Sequence, residues 1–376
     1  MNIIQKISIG KFEITVANKL RDDELALLKR TVIGNPGGFR YALRGVQNQI
    51  MSYGDNIFFI TGRRQSRLVG IIAFCKRTIF TRGKAHPSFY VRYFSIDTPY
   101  QRKLVGQEKE TRKKRRPVRE GSIKEKILEV LTNPEVLKLL EPGENHQYLL
   151  YNCLEAYNQR SENIIRKAGY EHIRSAATFP FSRINPRKYE GFDRAKPWEK
   201  ESLEKLLCDF YKPYSLYTLD YANGKGQYFV MRKNGAITAA VNAQAGILYV
   251  VELPELWGWF MFKVIGRLPV MRRIFSPGTL HFVGMDALYY KPGHVADIVK
   301  LMESVLAEFK RNVSLSWIDI DSSIYHDLKN HGHLGTLNTV FKGKPVKIYA
   351  RFSNYSEEEK DVFRNTPAYL TSIDLS

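Results

Sequence analysis

Apolar residues in this chain switch between a two-residue and a 3.6-residue period, and the order of those switches recurs about half a chain length later. That order constrains the fold more than any single motif. In the first half it predicts a strand at 12–16 and a helix at 22–30 opened by Asp22 and Asp23. A Gly/Pro break at 34–38 precedes a second amphipathic stretch that ends near Tyr53. A hairpin at 56–61 and 68–76 turns through 62–67, and a strand follows at 88–96. Helical spacing returns at 123–131, then a strand at 147–153, a helix at 158–167 stopped by Gly169, and a strand at 171–181.

The polar stretch 185–196 reads as a linker, and the same grammar resumes beyond it. A helix at 197–210 leads to a hairpin at 227–231 and 236–243 about Lys233-Asn234-Gly235. A strand at 280–288, a strongly amphipathic helix at 294–310, a strand at 314–320, a short helix at 323–330 and a strand at 346–352 complete it. No residue-level repeat accompanies the recurring order. The expected architecture is therefore α/β (α+β mixed) in two domains, 1–185 and 186–376, each a mostly antiparallel mixed sheet flanked by helices. At 376 residues the chain also exceeds the size at which one core keeps growing.

An apolar share of 44% with 26% charged residues excludes a disordered chain. No apolar stretch stands behind a basic start at the N-terminus, so no secretory signal is expected. The most apolar window, 256–270, is interrupted by Gly258, Lys263, Gly266, Arg267 and Pro269 and is too short to span a bilayer. Cys75, Cys153 and Cys208 lie far apart in apolar runs, which suits free thiols in a reducing, cytoplasmic setting. The net charge of +20 calls for an anionic partner. Much of the excess is local: residues 102–126 hold eleven Lys or Arg against four Glu. No aromatic residues interleave with the run 113–116, which speaks against nucleic acid; a solvated charge run and a phosphate-facing insertion both remain open.

Two stretches carry a family resemblance. Phe94-Ser-Ile-Asp-Thr-Pro-Tyr-Gln-Arg-Lys103 resembles the fourth strand and following loop of the GNAT superfamily of acyl-CoA N-acyltransferases, with Ile96, Thr98 and Tyr100-Gln101 at the motif positions. Asn158-Gln-Arg-Ser161, followed by Lys167-Ala-Gly169-Tyr170, resembles the family's second signature at the same spacing. The resemblance covers about residues 10–182 and implies an acyl-CoA site. A strand feeding a helix through a short loop aims free N–H groups at one point, where a diphosphate can sit. Two registers fit that loop. Gln101, Arg102, Lys103 and Gly106 keep its ends but put Leu104 where the family has glycine. Arg119, Gly121, Ser122, Ile123 and Lys124 lead straight into the helical stretch, and this register is favoured, with 104–118 inserted before it.

The resemblance further implies that backbone N–H groups around Phe94, Ser95 and Ile96 polarise the thioester, opposite 150–153, with Asn158 and Ser161 at the mouth of the gap. Glu155 is the carboxylate placed to act as base. The family's tyrosine acid, four residues before the glycine, is Ile165 here, leaving Tyr157 and Tyr170 as candidates, each of which also reads as a packing tyrosine. The second half offers only Tyr289-Tyr-Lys-Pro-Gly-His294 between strand and helix, and Pro292 lacks the N–H that a phosphate needs. It resembles a degenerate second GNAT-like domain that shapes the acceptor cleft.

His331 and His333 read as loop histidines, so no metal is expected. The stretch 256–262, with Lys263, Arg267, Arg272 and Arg273 behind it, fits either a sheet-covering helix or contact with an anionic membrane surface. The expected activity is transfer of an acetyl or other short acyl group from acetyl-CoA, or another acyl-CoA, to an amine by direct attack. The rivals are an inactive CoA-binding scaffold and a membrane-surface enzyme with a longer acyl donor. The acceptor and the oligomeric state are not legible.

Overall fold

The computed structural model describes residues 2–34, 40–43, 45–97, 129–140, 147–155, 158–218, 226–252, 275–276, 278–335, 337–338 and 345–371. In chain order the strands are β1 (Ile3–Ile9), β2 (Phe12–Ala17), β3 (Val32–Ile33), β4 (Arg40–Ala42), β5 (Ile57–Arg64), β6 (Arg67–Thr81), β7 (Lys84–Ile96) and β8 (Tyr148–Leu154). They continue with β9 (Glu171–Ser182), β10 (Phe192–Arg194), β11 (Gln227–Lys233), β12 (Ala236–Glu252), β13 (Phe275–Ser276), β14 (Thr279–Tyr290), β15 (Val313–Asp319) and β16 (Val346–Ser353). The helices are α1 (Asp22–Arg30), α2 (Val46–Ser52), α3 (Gln159–Lys167), α4 (Lys200–Tyr211), α5 (Val295–Glu308), α6 (Ser323–His331) and α7 (Glu357–Asn365).

Local chemistry accounts for these boundaries. Three acidic residues open α1 and Lys29 and Arg30 close it, matching the helix dipole at both ends. Asn234 and Gly235 adopt positive φ of 50° and 77°, the two-residue turn that suits the twist of β11 and β12. Tight turns at Gln65-Ser66 and Arg82-Gly83 let β5, β6 and β7 run longer than the sequence pattern predicts.

One mixed sheet runs through the whole chain in the order β1-β2-β5-β6-β7-β8-β16-β9-β15-β14-β12-β11-β10. Its centre is an exchange. The last strand, β16, lies antiparallel between β8 and β9 of the first half, while β9 pairs with β15 of the second. Each half thus supplies a strand to the other, and the stretch expected to be a linker, 185–196, contributes β10, which pairs with β11 at the sheet's edge.

Apolar clusters cover the two faces of the first half. One gathers Leu28, Val46, Tyr90, Leu149 and Tyr151 with α1 and α2; the other gathers Ile14, Phe74, Phe89, Leu150 and Tyr170. A third cluster is built around α5 and β12 in the second half.

Candidate functional site

The strands β7 and β8 are parallel, and among the described residues they pair only at Ser88–Leu149, Phe89–Leu150 and Tyr90–Tyr151. Beyond that point they part. On the β6 side the register shifts between Ile71 and Ala73, opposite Tyr93, whose φ is +55°. A bulky residue held there costs on the order of 1–3 kcal/mol and persists only when its surroundings impose it. The result is a bulge beside the open gap, where β7 turns its backbone away from the ladder.

The end of β7 is tied down. A Cβ on Gly70 would sit 2.8 Å from the Ser95 carbonyl oxygen, so only glycine lets β6 approach the strand there. The Thr31 and Ser95 hydroxyls meet at 2.9 Å, and Arg30 pairs with Asp97 at 2.7 Å, fixing β7 to the C-terminal end of α1. Of the three positions expected at the thioester, Ser95 is buried, Ile96 half-buried and Phe94 45% exposed.

Glu155 follows β8 directly. By alternation along β8 it belongs to the face of Leu149, Tyr151 and Cys153, the α1–α2 side of the sheet. Burial alone pushes its carboxyl up to about 7. Tyr41 of β4 lies near it: burial first, and then the Glu155 charge, raise the Tyr41 phenol, while Arg92 opposes. Arg92 is 8% exposed, is hydrogen-bonded to the Tyr53 hydroxyl and stacks over the Tyr93 ring at 4.1 Å. β4 is itself held by the second half, since Tyr41 pairs with Val250 of β12 and Arg40 meets Glu252 at 2.7 Å. Sequence reasoning singled out neither Tyr41 nor Arg92. Tyr41 stands in a three-residue strand beside a Gly/Pro break, and Arg92 is a charge in the middle of an apolar strand; the latter was the one available hint.

Asn158 caps α3. Its Oδ1 accepts the Ser161 N–H at 3.1 Å, and its own N–H donates to the Glu155 carbonyl at 3.0 Å. In the first turn of α3, Glu162 accepts the Tyr349 hydroxyl at 2.5 Å and Lys347 at 3.1 Å, both from β16. Those two contacts hold its carboxyl down to about 2. The final strand of the chain therefore fixes the start of the helix that follows Glu155.

Tyr170 is 6% exposed in the cluster with Ile14, Tyr148 and Leu150, on the sheet face opposite Glu155, and burial pushes its phenol far up. Tyr157, Gln101, Arg102, Lys103, Gly106, Arg119, Gly121, Ser122, Ile123 and Lys124 lie outside the described residues. So do the basic run 102–126 and the stretch 256–270.

The second half repeats the geometry of the gap. β14 and β15 are parallel and, among the described residues, pair only at Val283–Ser314 and Gly284–Leu315, and Ala287 of β14 has φ +50° beside a register shift. Its helix connection differs. Residues 291–294 lead straight into α5, where the Asp297 carboxylate, 1% exposed, meets Lys233 at 2.8 Å and His294 at 2.9 Å. Burial works against that charge, but Lys233 and His294 outweigh it and hold the carboxyl low. The chain's own anion thus stands at this helix N-terminus.

Each half thus has a gap between parallel strands with a bulge beside it, and the fold as a whole is that of a solved N-acyltransferase. Among solved structures the chain is similar to the Saccharomyces cerevisiae N-myristoyltransferase with bound myristoyl-CoA: TM-score 0.54 and 10% identity over 97% of this chain and 90% of that one. The same yeast protein with myristoyl-CoA and inhibitors gives TM-score 0.53 and 9% identity over 96% and 87%. A GCN5-related N-acetyltransferase from Anabaena variabilis gives TM-score 0.48 and 9% identity over 91% and 73%. No family model and no curated protein matches the sequence. No helix among the described residues is long and apolar enough to cross a membrane. His331 and His333 face each other at 6.1 Å, with no group of three metal-ligating residues among those described.

Proposed function

We propose that the chain transfers an acyl group from acyl-CoA to an amine, with the donor in the gap between β7 and β8. The observation that carries this reading is Glu155, a carboxyl poised near 7 at the mouth of a strand gap with a bulged wall. A base with that pKa is half deprotonated at neutral pH, where proton transfer is most effective. Glu155 takes the proton of the attacking amine. The amine nitrogen adds to the thioester carbonyl, whose developing negative charge is met by the backbone of Phe94, Ser95 and Ile96. The C–S bond then breaks. A thiolate with an ordinary pKa of about 8.5 leaves readily and takes its proton from water or from Glu155. Tyr170, on the far face, supports the core; Tyr157 stays a candidate acid.

The donor's diphosphate is assigned to Arg119, Gly121, Ser122, Ile123 and Lys124, and Asn158 and Ser161 to the mouth of the gap. Gln101, Arg102, Lys103 and Gly106 form the alternative register. Because Asp297 fills the corresponding place in the second half, one acyl-CoA per chain is expected. The proposed division is a donor domain, 1–185, and a second domain, 186–376, that walls the acceptor cleft through β12 and β4. Acetyl-CoA is the first donor to test. A longer acyl donor is the second reading, favoured by the end-to-end likeness to a protein whose structure holds myristoyl-CoA. A cytoplasmic enzyme suits a chain whose three cysteines lie far apart in the sequence.

Calorimetric titration with acetyl-CoA and with myristoyl-CoA tests the reading. Saturable heat at one site per chain is expected, followed by turnover on a panel of amines. No heat from either donor removes the proposal, and binding without turnover leaves a CoA-binding scaffold. Replacing Arg119 and Lys124 together by Glu should weaken the donor, since charge-assisted bonds contribute about 1.5–3 kcal/mol each.

A further inference from the structure

The gap between β14 and β15 is not empty. Residues 366–371, after α7, run into it as extended chain: Tyr369 bridges to Ile318 of β15, and Ala368 bridges to Ser215. The segment is bonded along its length. Ser215 N–H donates to the Pro367 carbonyl and Tyr369 N–H to the Ser215 carbonyl, both at 2.8 Å. Ala368 N–H donates to the Asp319 carboxylate at 2.9 Å, and Arg174 grips the same carboxylate at 2.6 and 2.8 Å. Tyr369, 6% exposed, packs against Tyr211 at 4.8 Å and Tyr217 at 5.1 Å. Its hydroxyl lies beside the backbone of Ala287, the residue in the β14 bulge. Alternation sends the neighbours the other way: Ala368 and Leu370 belong to the apolar cluster that also holds Tyr90 and Tyr151, the last pair of strand residues before the first gap opens.

We propose that the second gap is a binding site for an extended peptide strand, that its resident ligand is the chain's own residues 366–371 with Tyr369 as the anchor at the β14 bulge, and that this strand sets one wall of the first gap. Main-chain bonds supply affinity and the alternate side chain supplies selectivity, as in other strand-addition sites. That this strand bears on the donor's gap rests on the reading of the first gap as the donor site. The occupancy of the second gap does not.

Amide hydrogen exchange on the full chain tests it. Tyr369→Ala should speed exchange in residues 285–290 and 315–320 by about tenfold or more, because local opening free energy falls where buried contacts are lost. Excess synthetic peptide of residues 364–371 should restore protection, and the same peptide with alanine at position 369 should not. Unchanged exchange, or failure of the native peptide to restore it, overturns the peptide-strand site. Tyr369→Phe, which keeps the ring, covers the case in which the alanine variant does not fold: its protection should persist across both segments, and loss equal to that expected of the alanine variant would count against ring anchoring. The coupling to the first gap is read separately, by exchange at 88–96 in the same samples, and no change there removes that part. None of these readouts depends on acyl-CoA binding, so failure here and failure of the acyltransferase reading are told apart.

Discussion

As the proposed base, Glu155 has to meet two requirements that conflict. A base must lose its proton near neutral pH, yet the burial that brings its pKa from the ordinary 4.5 to about 7 disfavours its charged form. Turnover should therefore rise with pH through about 7 and level off above it. Glu155→Gln should lower kcat by about 10²-fold or more and leave donor affinity in place, as expected of a general base. The stability effect has the opposite sign. Between pH 4.5 and 7 the folded chain keeps a proton that the unfolded chain has released, so this group withdraws stability as pH rises through that window. Glu155→Gln should accordingly melt above the native chain at pH 8 and together with it at pH 4. Equal melting temperatures at both pH values would show that Glu155 is solvated like a surface carboxylate. Its position between a strand end and an Asn cap was legible in the sequence; its raised pKa was not, because burial comes from elements far away in the chain.

The elements divide the same way. Strands and helices set by local periodicity, such as α1, β7, α3 and α5, fall close to where spacing predicts them. Those missed are β1, the short β3, β4, β10 and β13, and α7, whose charged surface hides its one buried face at Phe363. β4 has three residues and owes its existence to pairing with β12, more than 200 residues later, a partner that no local pattern specifies. α3 shows how local and distant terms combine. Its cap at Asn158 was readable, while the Lys347 and Tyr349 contacts to Glu162 were not. Asn158→Ala should cost about 1 kcal/mol of stability by loss of the cap. It should also lower turnover more than donor affinity, because an uncapped, frayed helix start no longer holds in place the Asn158 backbone N–H that meets the Glu155 carbonyl. An activity loss matched by an equal loss of donor binding would place Asn158 on the donor instead.

At the scale of the molecule, the duplicated order of elements was visible in the sequence but the exchange of strands was not, because β16 reads as the natural end of its own half. The consequence is physical. A chain ending at residue 185 would lack β16, leaving the inner edges of β8 and β9 without partners and their buried faces open to solvent. Residues 186–376 alone would lack β9 and expose the edge of β15. An unpaired edge of that length is a template for aggregation. Expressed separately, each half should therefore be insoluble or should associate with itself. Produced together, the two halves should reassemble into one soluble particle of the mass of the whole chain, because the exchanged strands are complementary and no covalent link crosses the sheet. The donor site should return with the assembly, since β16 also positions α3 through Glu162. Size-exclusion chromatography with mass detection on the co-produced halves, followed by acetyl-CoA titration, decides it: a soluble monomeric 1–185 fragment that binds the donor by itself would show that the exchange is dispensable.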